Sequence, residues 1–182
     1  ASDVYKRQKL KGSLHMNTRL VLQAQKRDKD AFVTLIGLYR ESMYQIAYAI
    51  LKNNEDAADA MQDTILICWE KIDTLRHARY FKTWITRILI NRCNRLYSQR
   101  SRTTDLNEGT FSSISPDPAA RMEWQEMMQQ LTDNQRIVVE LYYAQQFKIH
   151  EIADILDITP SAVKNRLHTA RKVLKQYISS NS

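Results

Sequence analysis

The chain is predicted to be all-α: two small helical domains joined by a flexible linker, the second a helix-turn-helix domain. Three observations predict it. Only three Gly and three Pro occur in 182 residues, too few turns for a sheet protein. Apolar residues recur at helical spacing over long stretches, and no useful run alternates with a period of two. Between Ser101 and Pro118 the periodicity stops, and Thr103, Thr104, Asp105, Asn107, Gly109, Ser112, Ser113, Ser115 and Pro116 take over, a linker composition. The expected divisions are a tag or non-native leader at 1–15, which fits no later pattern and precedes the expected native start at Met16, a first domain at 16–101, a linker at 102–118 and a second domain at 119–182.

In the first domain, Phe32, Leu35, Ile36, Tyr39, Met43, Ile46, Ala47 and Ile50 predict one long helix over about 29–52. Asn53-Asn54 breaks it. Asn54 is the expected cap of the next helix, with Glu55 and Asp56 favoured in its first turn by the helix dipole. That helix reaches about Ile72 and is expected to bury Ala57, Met61, Ile65, Cys68 and Ile72. A connector, Asp73 to Tyr80, leads to a third helix at about 81–99 with Trp84, Ile85, Ile88, Leu89 and Leu96 on its apolar side. Cys68 and Cys93 fall within apolar helical patterns and read as small buried hydrophobes in a reducing cytoplasm.

The second domain has a helix around 119–130 and another, capped by Thr132, running to about Gln145. About 60 residues suffice for a small helical domain. It closes on a helix-turn-helix. Ile152, Ala153, Ile155 and Leu156 face inward on a short helix, and Asp157-Ile158-Thr159 turns the chain. Thr159 caps the following helix, and Pro160 takes the first helical position, where its missing N–H costs nothing. That last helix turns Val163, Leu167 and Ala170 inward and offers Lys164, Asn165, Arg166, His168 and Arg171 outward, a face suited to a DNA major groove.

The net charge of +7 is unevenly placed. Residues 74–104 hold eight Lys/Arg and no acid, and the chain after Asp157 holds five and no acid. Two separate basic segments point to two nucleic-acid contacts. No run of eighteen apolar residues appears, so no membrane span is expected. His15, His77, His150 and His168 show no ligand spacing. No nucleophile–base pair or phosphate loop is evident. The chain is therefore not expected to be an enzyme, and no metal, cofactor or small-molecule substrate is expected.

Four motifs in order carry a family resemblance. Asp59-Ala60-Met61-Gln62-Asp63, followed by Ile65 and Trp69, is the first. Phe81-Lys82-Thr83-Trp84-Ile85-Thr86-Arg87-Ile88, then Asn91, is the second. Leu131-Thr132-Asp133-Asn134-Gln135-Arg136 is the third, with Thr132 where Pro is usual. Glu151-Ile152-Ala153 with Val163-Lys164-Asn165-Arg166-Leu167-His168-Thr169-Ala170-Arg171 is the fourth. Together they resemble bacterial sigma factors of the extracytoplasmic-function group (group IV), which keep only sigma domains 2 and 4, and the resemblance covers Met16 to Ile178. Arg95, Ser98 and Thr169 depart from residues frequent in that family. The resemblance implies a cytoplasmic factor that binds core RNA polymerase, recognises −35 and −10 promoter elements and aids DNA melting. It also implies an anti-sigma partner.

Site residues follow. Asp59, Gln62, Asp63 and Glu70 share one side of the second helix. The plainer reading is a polar surface; the resemblance makes it the dock for the polymerase clamp helices. Arg76, Arg79, Tyr80, Lys82, Arg87, Asn91, Arg92 and Arg95 are the −10 candidates, because single-strand binders combine phosphate-tracking cations with stacking rings. Leu75 to Tyr80 is the expected wall of a pocket for an extruded base. The plainer reading, core packing, is preferred for Trp84 and Ile88. A merely solvated face would mix in acids, so the arginines are read as DNA-facing. Ser161, Lys164, Asn165, Arg166, His168 and Arg171 are the −35 candidates, with Asn and Lys suited to base edges and Arg166 and Arg171 to phosphates. The rival reading is a stand-alone helix-turn-helix repressor or activator with an N-terminal helical sensor domain, which calls for a ligand cavity in the first domain.

Overall fold

The computed structural model describes residues 17–100 and 118–181. The expected leader and nearly all of the expected linker, with its Leu106, Phe111 and Ile114, lie outside the described residues. Every regular element among the described residues is helical.

A first helix, α1 (17–25), precedes the unit expected to begin at about Lys26. Its Val21 and Ala24 are fully buried. Sequence periodicity missed it because two core residues in nine are too few to show a period. Asp28 caps α2 (Lys29–Leu51) by accepting from the Ala31 amide at 3.1 Å. Lys52, in the left-handed region at φ 52, ends it. The cap of α3 (Asn54–Lys71) is Asn53, not Asn54. Asn53 has the extended backbone that lets its side chain reach the Asp56 amide at 3.0 Å. Asn54 instead accepts from the Tyr44 hydroxyl at 2.6 Å.

The buried stripe of α3 also differs from expectation. Ala57, Ala60, Thr64 and Cys68 are fully enclosed, whereas Met61 and Ile65 are only half-buried beside the core. Small side chains on the inner line let α3 lie close to α2 and α4. Thr64 is tolerated there because its hydroxyl donates to the Ala60 carbonyl at 2.7 Å. Two short 3-10 turns, Ile72–Thr74 and Ala78–Tyr80, form the connector to α4 (Phe81–Arg100). Gln25 clamps that connector, donating to the carbonyls of Ile72 at 3.0 Å and Leu75 at 2.7 Å.

The second unit contains α5 (Pro118–Gln129), α6 (Asp133–Val139), α7 (Ile149–Leu156) and α8 (Pro160–Asn181). Thr132 and Gln135 form a reciprocal capping box at the start of α6. Arg136, though charged, is buried. It donates to the Met128 carbonyl at 3.0 Å and the Leu131 carbonyl at 2.6 Å and pairs with Asp133 at 2.6 Å, stapling the end of α5 to α6. Beyond Val139 the helix continues as one π turn, Glu140–Ala144. The two units pack on one another, α4 against α7 and α2 against α6 and the π turn.

Candidate nucleic-acid interface

Asp157, left-handed at φ 54, closes α7, and the Ile158 amide reaches back to the Ala153 carbonyl at 3.1 Å. Thr159 accepts from the Ala162 amide at 3.1 Å and so starts α8 at Pro160. With Val163, Leu167 and Ala170 buried, Ser161, Lys164, Asn165 and His168 share one exposed face, continued by Arg171, Lys172 and Lys175. Arg171 is held by the Tyr143 hydroxyl, which accepts from its Nε at 2.7 Å. That hydroxyl fixes the guanidinium at the edge of the stripe, and no local pattern announced it. Arg166 is turned away from the stripe. It is half-buried and lines a cavity of about 260 Å³ between the units, with Ile50, Ile90, Tyr97, Asp133 and Ile137.

The acid-free segment divides three ways. Arg87, Asn91 and Arg95 are exposed on the outer face of α4, and Arg76, Arg79 and Tyr80 are exposed on the connector before it. The Arg79 guanidinium lies 4.7 Å from the Tyr80 ring centroid, placing a cation and a stacking surface together. Leu75, expected in the pocket wall, is buried in the core. Arg92 points the other way and pairs with Asp63 on α3. Lys82 takes a third direction, donating from Nζ to the Gln145 carbonyl at 2.6 Å and lying 4.4 Å from the Phe147 ring centroid. Burial lowers the Lys82 pKa, partly opposed by the Glu151 charge. Trp84 and Ile88 are half-buried against the core, and Phe81 is fully inside, packed on Tyr39 with ring centroids 5.4 Å apart.

On α3, Asp59, Gln62 and Glu70 are exposed, while Asp63 is partly covered by its pairing with Arg92. Leu66 sits among them at 60% exposure, an unburied leucine in a polar stripe. Its spacing of four from Gln62 and from Glu70 places it on this face, but an apolar side chain carries none of the charge or amide signal that marks the face in the sequence.

The family model for Sigma-70 region 2 matches residues 35–103, and that for Sigma-70 region 4 matches residues 121–174. The ECF RNA polymerase sigma factor SigW of Bacillus subtilis (strain 168) is 27% identical, over 90% of this chain and 97% of its own. The chain belongs to the extracytoplasmic-function sigma factors. The sigma factor CnrH of Cupriavidus metallidurans (strain CH34) is 26% identical over 90% of this chain and 94% of its own. The solved structure of CnrH in complex with the cytosolic domain of CnrY superposes with a TM-score of 0.70, at 25% identity, covering 92% of this chain and 99% of that one. The fold is shared with RpoE in its complex with NepR from Bartonella quintana, at a TM-score of 0.66 and 20% identity, over 83% of this chain and 98% of that one. This sigma factor therefore carries region 2 on α2–α4 and region 4 on α5–α8, and it serves promoter recognition in transcription initiation. Among the described residues, no helix is long and apolar enough to cross a membrane.

Proposed function

We propose that this sigma factor docks on bacterial core RNA polymerase through Asp59, Gln62, Leu66 and Glu70. It opens and holds the −10 element with Arg76, Arg79, Tyr80, Arg87, Asn91 and Arg95, and reads the −35 element with Ser161, Lys164, Asn165 and His168. Arg171 grips a phosphate beside that helix. Arg92 acts through its pairing with Asp63, linking the polymerase face to the DNA face, and Lys82 and Arg166 join the DNA contacts when the regions separate. The factor performs no catalytic step of its own and works in the cytoplasm. An anti-sigma protein is its regulatory partner, a reading supported by the likeness to CnrH, solved with the cytosolic domain of CnrY.

The observation that carries this reading is the presence of two acid-free exposed faces on different regions. One pairs arginines with an exposed tyrosine, as single-strand binding requires, and the other is a helix-turn-helix stripe. The repressor alternative calls for a hollow first unit, whereas Leu35, Met43, Ile46, Phe81, Ile85 and Leu89 fill its centre. Run-off transcription with bacterial core polymerase, with and without this protein, tests the reading. Promoter-specific transcripts are expected only with it, and none in either reaction overturns it.

A further inference from the structure

Region 2 occupies α2–α4, and α1 with the turn after it lies ahead of that unit. The turn is closed by two backbone bonds, from the Arg27 amide to the Ala24 carbonyl at 2.9 Å and from the Asp28 amide to the Gln23 carbonyl at 3.3 Å. This nested pair is a common helix ending that calls for a left-handed residue, most often Gly. Here that residue is Arg27, at φ 67. A side chain is kept where glycine is easier, and it is in use. Arg27 Nη1 donates to the Trp69 carbonyl, while Nη2 donates to the Glu70 carbonyl at 3.4 Å and pairs with Asp73 at 3.4 Å. The guanidinium also lies 5.5 Å from the Trp69 ring centroid. Carbonyls in the last turn of α3, which lack partners inside the helix, are thus capped from another element.

Gln25, at the end of α1, reaches the next stretch of chain. Its Nε2 donates to the Ile72 carbonyl at 3.0 Å and to the Leu75 carbonyl at 2.7 Å, so its two hydrogens serve two carbonyls three residues apart. Those carbonyls bracket the first 3-10 turn, itself closed by the Leu75 amide on the Ile72 carbonyl at 3.2 Å. Beyond that turn Leu75 and His77 are extended, so the connector has no helical bond of its own to fix its direction there. The Leu75 carbonyl shares a peptide plane with the Arg76 amide, and a bond to it fixes the plane from which Arg76 departs. The Tyr80 amide then donates to the His77 carbonyl at 3.0 Å and closes the second turn. Tyr80 stands between the Arg79 guanidinium, 4.7 Å from its ring centroid, and the His77 ring, 6.0 Å away.

We propose that Gln25 is a positioning residue for base selection at the −10 element. It sets the path of the connector, so that Arg79 and Tyr80 meet an unstacked base in one pose, and Arg27 holds the end of α3 from which that path starts. The inference rests on the proposed −10 role of the connector. Gln25 acts through backbone carbonyls rather than by contact with DNA. A contact that tells one base from another depends on pose, because its partners must be held to a fraction of their own size. Attraction between arginines and phosphates carries no base information and tolerates small shifts. Releasing the connector therefore penalises the favoured base more than its competitors, and selectivity falls before affinity does. The −35 helix, α8, belongs to region 4 and is held by neither Gln25 nor Arg27.

The test uses the whole chain assembled with bacterial core polymerase, on a promoter that the parent protein transcribes. One template set randomises the −10 element and keeps the −35 element; a second set does the reverse. Sequencing the transcribed templates gives the base preference at each position. Gln25→Met, similar in length but without donors, is expected to flatten the −10 preference roughly threefold or more. Its −35 preference and its co-purification with core polymerase should match the parent. Gln25→Lys, which returns N–H donors to the same carbonyls, should restore the −10 preference. Arg27→Gly suits the left-handed turn and should flatten the −10 preference in the same direction; it decides the matter if Gln25→Met does not fold. A lower melting temperature with a parent-like −10 preference would mean a purely structural role and overturns the proposal. Equal loss of preference at both elements, or no rescue by Gln25→Lys, overturns it as well. Tyr80→Ala separates this inference from the reading beneath it. Flattening by Tyr80→Ala but not by Gln25→Met overturns the positioning role alone, whereas a parent-like preference in both removes the connector from −10 selection.

Discussion

Arg92 on α4 pairs with Asp63 on α3, joining a side chain from the basic segment to one from the acidic face. Two faces that the sequence presents as independent, the acid-free face of α4 and the acidic face of α3, are therefore joined by an ion pair.

This coupling separates two substitutions on the same face. Asp59→Lys is expected to weaken co-purification with core polymerase and leave the melting temperature unchanged, because Asp59 is exposed. Asp63→Lys should weaken polymerase binding and also lower stability, by about 1 kcal/mol or less for a partly exposed pair. Leu66→Ser should reduce polymerase affinity without destabilising the fold. Identical melting temperatures for Asp59→Lys and Asp63→Lys would show that the pairing is idle.

On α8, Lys164→Ala and Asn165→Ala are each expected to cost roughly 1–3 kcal/mol in use of the upstream element if the side chain reads a base. Arg171→Ala should weaken binding across all sequences, since a phosphate grip carries no base information. Competition assays with single-base variants of the −35 element distinguish the two patterns. A uniform loss for Asn165→Ala would remove it from the reading helix.

Arg87→Ala and Tyr80→Ala should impair opening at the −10 element and leave −35 recognition intact. Permanganate reactivity of unpaired thymines follows the opening. A pre-melted bubble template should restore transcription by these two variants but not by Lys164→Ala. Equal rescue of both sets would remove melting from residues 74–104.

Asp133 gives a pH dependence with a definite sign. Burial alone would raise its carboxyl pKa, but the Arg136 hydrogen bond and the Lys52 and Arg136 charges outweigh burial and hold it below its ordinary value of 3.8. A depressed folded-state pKa contributes stability above the unfolded value and loses it as pH falls through the folded one. Asp133→Asn should therefore melt lower than the parent at pH 6, and the gap should close as pH drops below 3.8. A gap of constant size down to pH 2.5 would contradict the assignment.

Much of this protein was legible in order along the chain. Helical periodicity located α2, α3 and α4. Thr132 and Thr159 marked two helix starts, because a capping side chain and its amide lie three residues apart and are visible locally. The exposed stripe of Ser161, Lys164, Asn165 and His168 followed from the same spacing. Direction around a helix was harder. The acid-free segment read as one basic surface, yet Arg92 turns to α3, Lys82 to Gln145, and Arg87 and Arg95 to solvent. Which face of α4 meets which neighbour depends on where α3 and α7 pack, and residues 29 and 63 positions away in sequence supply those partners. The sequence by itself determined the helices, their caps and the two basic stretches, since these are set by neighbours within one or two turns. Only the tertiary structure decided that Gln145 closes region 4 on region 2. A neutral glutamine announces nothing until its amide meets Ser42 and Gln45, 103 and 100 residues away in sequence, where burial would make any of those groups costly to leave unpaired.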